Sequence, residues 1–246
     1  LVEVQESAVK PIEPVFLDYQ KDMSQLKAKS DIPVLYKQNV ANDLFQLIYV
    51  FDMGNNHDKA LGTAFDYLEY LGTSDMTPEE LKSEFYRLAC TFYVSPGNER
   101  TYVVLSGLNE NMPAAMQLFE KLLADAQVNK EAYDNLVGDI LKARADAKLN
   151  QGQNFSRLMN YAMYGPKSPA TNLLTEAELA SMNPQELVDR IHNQNNYKHR
   201  ILYYGPSSSK DLLATIEQYH QVPATLKDIP AGNEYSYLET PATKVL

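Results

Sequence analysis

Few residues in this chain have the chemistry to act on anything. Among 246 residues there are four histidines and one cysteine. The histidines are His57, His192, His199 and His220, and no two stand four apart, the spacing that puts two ligands on one helix face. His192 and His199 flank the polar run Asn193-Gln194-Asn195-Asn196. They read as two solvated loop histidines in preference to a metal or acid–base pair. Cys90 sits in an apolar helical context with Phe85, Leu88 and Ala89 and reads as a small core residue. Ser207-Ser208-Ser209-Lys210 contains Ser-x-x-Lys, but without partner motifs it reads as a helix cap. Asp66 and Glu69 stand one helical turn apart and can share a face. Two carboxylates without a histidine suit a hard cation only weakly, and Tyr70 beside them is a poor ligand; a solvated acidic face is the plainer reading. There is no Gly-rich phosphate loop and no Gly-x-Ser-x-Gly elbow. Among the seventeen tyrosines, Tyr133, Tyr161, Tyr164, Tyr203 and Tyr204 form either a surface that reads peptide backbone or, more commonly for tyrosine, the rim of a core.

The bulk numbers narrow the classes of function. Net charge is −10 with a pI near 4.9, which argues against nucleic acid or an anionic membrane as partner. No apolar run approaches the ~18 residues of a membrane span. The length suffices for a core that needs neither metal nor disulfide. The chain opens on Leu1 and closes on Thr243-Lys244-Val245-Leu246, which reads as a piece of a longer polypeptide. The compartment is unknown from these features.

The elements that would position these residues follow from periodicity and punctuation. Lys10-Pro11-Ile12-Glu13-Pro14 blocks regular structure, and Phe16 to Ala28 is predicted as a short helix; residues 1–31 read as an interdomain connector. Pro33 to Lys37 reads as a strand. Asp43 to Met53 follows, apolar on nearly both faces, as a strand covered on both sides would be. His57 to Leu71 has helical spacing, stopped by Gly72-Thr73. Thr77-Pro78-Glu79-Glu80 carries the signature of a capping box and opens another helix. A hairpin is predicted from Thr91–Val94 and Arg100–Gly107 around Ser95-Pro96-Gly97-Asn98. Helices are predicted over Asn111–Ala126, Asn129–Gln151 and Asn154–Tyr164, with two short ones from Thr175 and Asn183-Pro184. A strand at Arg200–Tyr204, a helix over Ser207–Gln221 and a possible strand at Tyr235–Leu238 complete the chain. The order predicts an α+β fold, a mostly antiparallel sheet packed against helices, with the domain proper at 32–222. Residues 223–246 read as a linker and possible first strand of a following domain.

Four stretches in order carry a resemblance: the strand Leu44–Gly54; Tyr67-Leu68-Glu69-Tyr70-Leu71-Gly72-Thr73 with Met76-Thr77-Pro78-Glu79-Glu80-Leu81; Phe92-Tyr93-Val94-Ser95-Pro96 with Tyr102 to Asn111; and the long helices ending in Leu174-Thr175-Glu176-Ala177-Glu178-Leu179. Over roughly residues 33–221 the chain resembles one domain of the pitrilysin/insulinase family of zinc metallopeptidases. Active domains of that family carry His-x-x-Glu-His on the first helix, two zinc-binding histidines around a glutamate that polarises water. A glutamate on a long helix about 75 residues later completes the site. In this frame the chain reads Asp66-Tyr67-Leu68-Glu69-Tyr70, so the glutamate stands and both histidines are replaced. Lys142 and Arg144 fall close to the third-ligand position, where cations would repel zinc.

The resemblance is nearest to the catalytically silent halves of long members such as presequence protease. It implies a third-domain-like, non-catalytic unit that walls a peptide chamber, with zinc held by another domain of the parent. No catalytic residue, metal ligand or cofactor is therefore expected in this chain; Asp66, Glu69 and Tyr70 are degenerate motif positions. The implied partners are other domains of the same polypeptide and peptide substrates. The family is compatible with a bacterial envelope or an organelle. The alternatives are an inactive homologue used as an assembly scaffold and a self-sufficient peptidase with an unusual metal site.

Overall fold

The computed structural model describes residues 18–239 together with Pro14 and Phe16. Lys10–Glu13 and residues 240–246 lie outside the described residues. Six strands form one sheet: β1 (Ser24–Lys27), β2 (Pro33–Gln38), β3 (Leu44–Phe51), β4 (Cys90–Pro96), β5 (Thr101–Leu108) and β6 (Arg200–Gly205). Their order across the sheet is β1-β2-β6-β3-β5-β4. Only β2 and β6 run parallel; every other neighbour pair is antiparallel. Eight α-helices are described: α1 (Leu61–Leu68), α2 (Pro78–Arg87), α3 (Met112–Asp125), α4 (Lys130–Ala147), α5 (Gln151–Tyr164), α6 (Glu176–Ser181), α7 (Gln185–Asn193) and α8 (Ser209–Tyr219). The fold is α+β, as the order of elements predicts. No helix among the described residues is long and apolar enough to cross a membrane.

Local chemistry sets most boundaries. Thr77 accepts the Glu80 amide while Glu80 bonds back to the Thr77 amide, a complete capping box with Pro78 at the first helical position. Thr175 and Glu178 repeat the device on α6, and Asn129 and Ser208 cap α4 and α8. Ser208 thus accounts for the serine run as a cap. Asn150 accepts the Gln153 amide and begins α5, so the polar helical run divides at Lys148–Asn150 and not beyond Gln151. In the hairpin, Pro96 closes β4 and the turn is Gly97 to Arg100, joined by an amide–carbonyl bond of 2.7 Å.

Three predictions fail in the same way. The stretch predicted as a helix over Phe16–Ala28 ends instead in β1, with Leu26 opposite Val34. Pairing with β2 outweighs the weak helical preference of a short segment. Tyr235–Leu238 forms no strand; the Leu238 amide bonds to Met163 O at 2.7 Å and Tyr237 stacks on Tyr164. And β3 is covered on its second face only toward its C-terminal end, where Val50 is buried. Phe45, Leu47, Tyr49 and Phe51 are buried beneath the helices, whereas Leu44 and Gln46 on the other face are exposed. By register, Tyr93, Tyr102 and Tyr204 share that second face and are 39–51% exposed.

The core lies between the first face and the helical layer. α3 is its centre: it packs on β5, β4, α7 and α8, and Phe119 meets Phe92, which meets Phe85, each at 4.9 Å between centroids.

Candidate functional site

α1 is held by its surroundings at both ends. Asn55 Oδ1 accepts the Gly62 amide, Asp58 accepts the Ala60 amide, and Arg190 bonds Asp58 at 2.7 Å. These side chains replace the first helical turn predicted from His57, so the regular helix starts at Leu61. Its inner face, Leu61, Ala64, Phe65, Tyr67 and Leu68, is buried, packing mainly on α7, with β4 and α4 at its sides. The Tyr67 hydroxyl is pinned to the cap of α4, donating to Asn129 O at 2.5 Å and accepting from Asn129 N at 2.9 Å. Past the helix, Gly72 lies against the Met76 carbonyl so closely that any Cβ would collide with it. Its own carbonyl accepts the Gln127 amide. Leu-Gly-Thr is therefore a point of close backbone approach.

Asp66, Glu69 and Tyr70 lie on the outward face of this helix and its cap, all exposed. The Asp66 carboxyl is pushed above its ordinary pKa, first by partial desolvation and then by the Glu69 charge. On α4, Arg144 donates to Leu174 O at 2.7 Å and Lys142 is exposed. Asp66, Glu69 and Tyr70 bring no imidazole and no thiolate, the donors zinc favours, so this set does not fit zinc. Among the described residues no three His, Cys, Asp or Glu side chains converge as metal ligands do.

Beside Glu69 lies an apolar recess of about 660 Å³, lined by Lys82, Phe85, Tyr86, Ala89, Cys90 and Phe92 among others. Cys90 is buried, and burial pushes its thiol pKa up, away from nucleophilic chemistry. β4 is an edge strand. The Leu108 amide bonds to Ala89 O and the Gly97 amide to Arg100 O. Alternation between these two bonds turns the main-chain groups of Thr91, Tyr93 and Ser95 toward β5. The N–H and C=O groups of Phe92 and Val94 then face the free edge, as does the ring nitrogen of Pro96, where a missing donor harms no ladder.

The tyrosines divide. Tyr133 and Tyr203 are core, while Tyr161 and Tyr204 are exposed. The histidines correct the sequence reading: His199 is 6% exposed, not a solvated loop residue, and its Nε2 lies 2.9 Å from His220 Nε2. His220 also meets the buried Glu120. Nothing local signals this cluster, because its members are 21 and 100 residues apart.

No family model matches the chain, and no curated protein matches it. Among solved structures, the fold is similar to the periplasmic protease PqqL from Escherichia coli, with a TM-score of 0.75 and 15% identity over 89% of this chain. It is similar to the ferredoxin protease FusC in complex with Arabidopsis ferredoxin, with a TM-score of 0.74 and 13% identity over 95%. A third similarity is to a peptidase M16 inactive domain from Pseudomonas fluorescens, with a TM-score of 0.72 and 16% identity over 87%. The chain spans 25% and 27% of the first two proteins and 54% of the third. The fold is that of a pitrilysin/insulinase-like domain.

Proposed function

We propose that this chain is a non-catalytic pitrilysin-like domain of a larger zinc metalloendopeptidase, and that it offers peptide-binding wall while another domain cuts. The carrying observation is the helix in the place of the metal helix. Its motif positions hold Asp66, Glu69 and Tyr70, yet the adjoining recess and the free edge of β4 are open. An extended peptide would add to the free N–H and C=O groups of Phe92 and Val94, with apolar side chains against Phe85, Tyr86 and Phe92. Two similar proteins are named as proteases, one in complex with a protein, which supports a peptide or protein ligand. The zinc, the cleavage and the neighbouring domains belong to the parent in this reading.

The test uses this chain with fluorescently labelled, unstructured peptides. We expect no stoichiometric zinc by metal analysis, no cleavage, and binding that is saturable by anisotropy. Val94→Pro removes one edge N–H without touching the β5 ladder and is expected to weaken binding about tenfold. Absence of binding, or equal binding by Val94→Pro, sinks the peptide reading.

A scaffold role has its own observation. α5 has no buried residue, and its stripe of Phe155, Leu158 and Met159 is 42–62% exposed. Such a stripe, and the open sheet face, are surfaces that a neighbouring domain would cover. A chain that binds no peptide yet assembles with the rest of its parent through α5 would favour the scaffold.

A further inference from the structure

A chain of hydrogen bonds runs through the core between α3, α8 and the loop before β6. Glu120 on α3 is buried. Its Oε1 accepts the Tyr49 hydroxyl at 2.9 Å and faces His220 Nδ1 at 2.6 Å. Its Oε2 accepts Asn195 Nδ2 at 2.9 Å and the Gln221 amide at 3.0 Å. His220 Nε2 meets His199 Nε2 at 2.9 Å, and His199 Nδ1 lies 2.7 Å from Tyr197 O. The partners assign the protons. Tyr197 O is an acceptor, so His199 carries its proton on Nδ1 and leaves Nε2 as a lone pair. His220 must then donate from Nε2, and a second proton lies between its Nδ1 and the Glu120 carboxylate. Within this hydrogen-bonded network His199 Nε2 is the ring nitrogen left to take another proton, and its lone pair is in use.

Glu120 and the backbone of the loop that carries His199 also fasten the segment that follows α8. Gln221 is bonded to Glu120. Two and six residues on, the Ser30 hydroxyl and the loop of His199 take over: Ser30 donates to Pro223 O at 2.7 Å, Lys198 N to Lys227 O at 2.9 Å, and Lys227 N to Asn196 O at 2.7 Å. Leu226 and Ile229 pack against the core from this segment. His199 lines a recess of about 760 Å³ beneath it, so a proton from solvent can arrive there once the segment lifts.

We propose that the Glu120–His220–His199 chain is an acid-operated latch, which holds residues 221–229 against the domain and releases them when His199 takes a second proton. A proton on His199 Nε2 removes the acceptor of the His220 bond and sets two N–H groups and two cations face to face. The charged neighbours offer no relief. On the His199 side, Asp52 already holds Arg100 and Arg200, Asp31 holds Lys27, and Asp228 holds Lys198. On the other side, Glu120 is filled by four donors, and His192 and Lys29 line the adjoining recess with Tyr49 behind. Burial and then the His220 charge hold the His199 pKa at about 4, which is the resistance a closed latch must show. With His199 free to titrate near 6.5 when open, linkage raises the opening equilibrium on the order of 20-fold from pH 7 to pH 5. The latch does not rest on the peptide reading.

The test is amide hydrogen exchange of the chain, corrected for intrinsic rates, with far-UV circular dichroism at the same pH. Protection of 221–229 should fall about 20-fold from pH 7 to pH 5 while β3 and β5 stay protected. His199→Gln can still accept the His220 proton but cannot ionise, and its protection should be flat with pH. Parallel fall in His199→Gln, no fall in the wild type, or simultaneous loss in the whole sheet overturns the latch. Ring NMR of wild-type His199 decides independently of the variant: a low, incomplete titration until the segment opens supports the latch, and free titration near 6.5 in the closed state overturns it.

Discussion

Glu69 and Glu120 both sit beside apolar helical runs, and their environments are opposite. Glu69 is exposed at the end of α1, with no side-chain hydrogen bond or ion pair among the described residues. Glu120 is buried under four donors. Replacing Glu120 by Gln takes a carboxylate away from four buried donors, and breaking such a buried network costs about 3–5 kcal/mol. Glu69→Gln should stay within about 0.5 kcal/mol of wild type. Urea unfolding of both variants measures the contrast, and equal midpoints would refute the assignment. His199 adds a pH dependence. Its folded pKa, about 4, lies below the free value of 6.5, so the folded state binds fewer protons between them. Stability is fully present above pH 6.5 and falls as pH drops toward 4, by about 3 kcal/mol in total. At this scale Asp66, Glu69 and Tyr70 were legible as neighbours on one helix, because their spacing is local. The histidine cluster was not, because three residues far apart in sequence meet only through packing.

At the scale of elements, capping chemistry was readable from short stretches and tertiary anchoring was not. Thr77-Pro78-Glu79-Glu80 forms its box from local atoms alone. α1 shows the reverse: its start is set by Asn55, Asp58 and Arg190, and its end by Tyr67 on Asn129. Tyr67→Phe keeps the packing but strips both bonds from the Asn129 backbone. We expect a loss of about 1–3 kcal/mol in chemical denaturation. A neutral result would mean that solvent replaces the hydroxyl there. β1 belongs to the same lesson, since Ser24–Lys27 has no strand signal strong enough to read without β2 beside it.

Among the described residues the helices cover one sheet face, and the other is exposed at Leu44, Gln46, Tyr93, Tyr102 and Tyr204. Phe119 ties the layers, packed at a tilt against Phe92 and through it Phe85. Phe119→Ala should cost about 3–5 kcal/mol, whereas Leu158→Glu on the exposed stripe of α5 should leave thermal stability nearly unchanged. A large loss in Leu158→Glu would show that α5 packs in solution on something the described residues do not include.

Residue type and spacing by themselves determined the α+β class, the mostly antiparallel sheet and most helix caps. These are local or additive properties, written in periodicity and in single side chains. Tertiary structure alone decided that β1 joins the sheet, that Leu44 and Gln46 of β3 stay exposed, that β4 is the edge strand beside the recess among the described residues, and that His199, His220 and Glu120 meet. Each of these depends on contacts between distant residues, whose free energy exceeds the weak preference of any short segment.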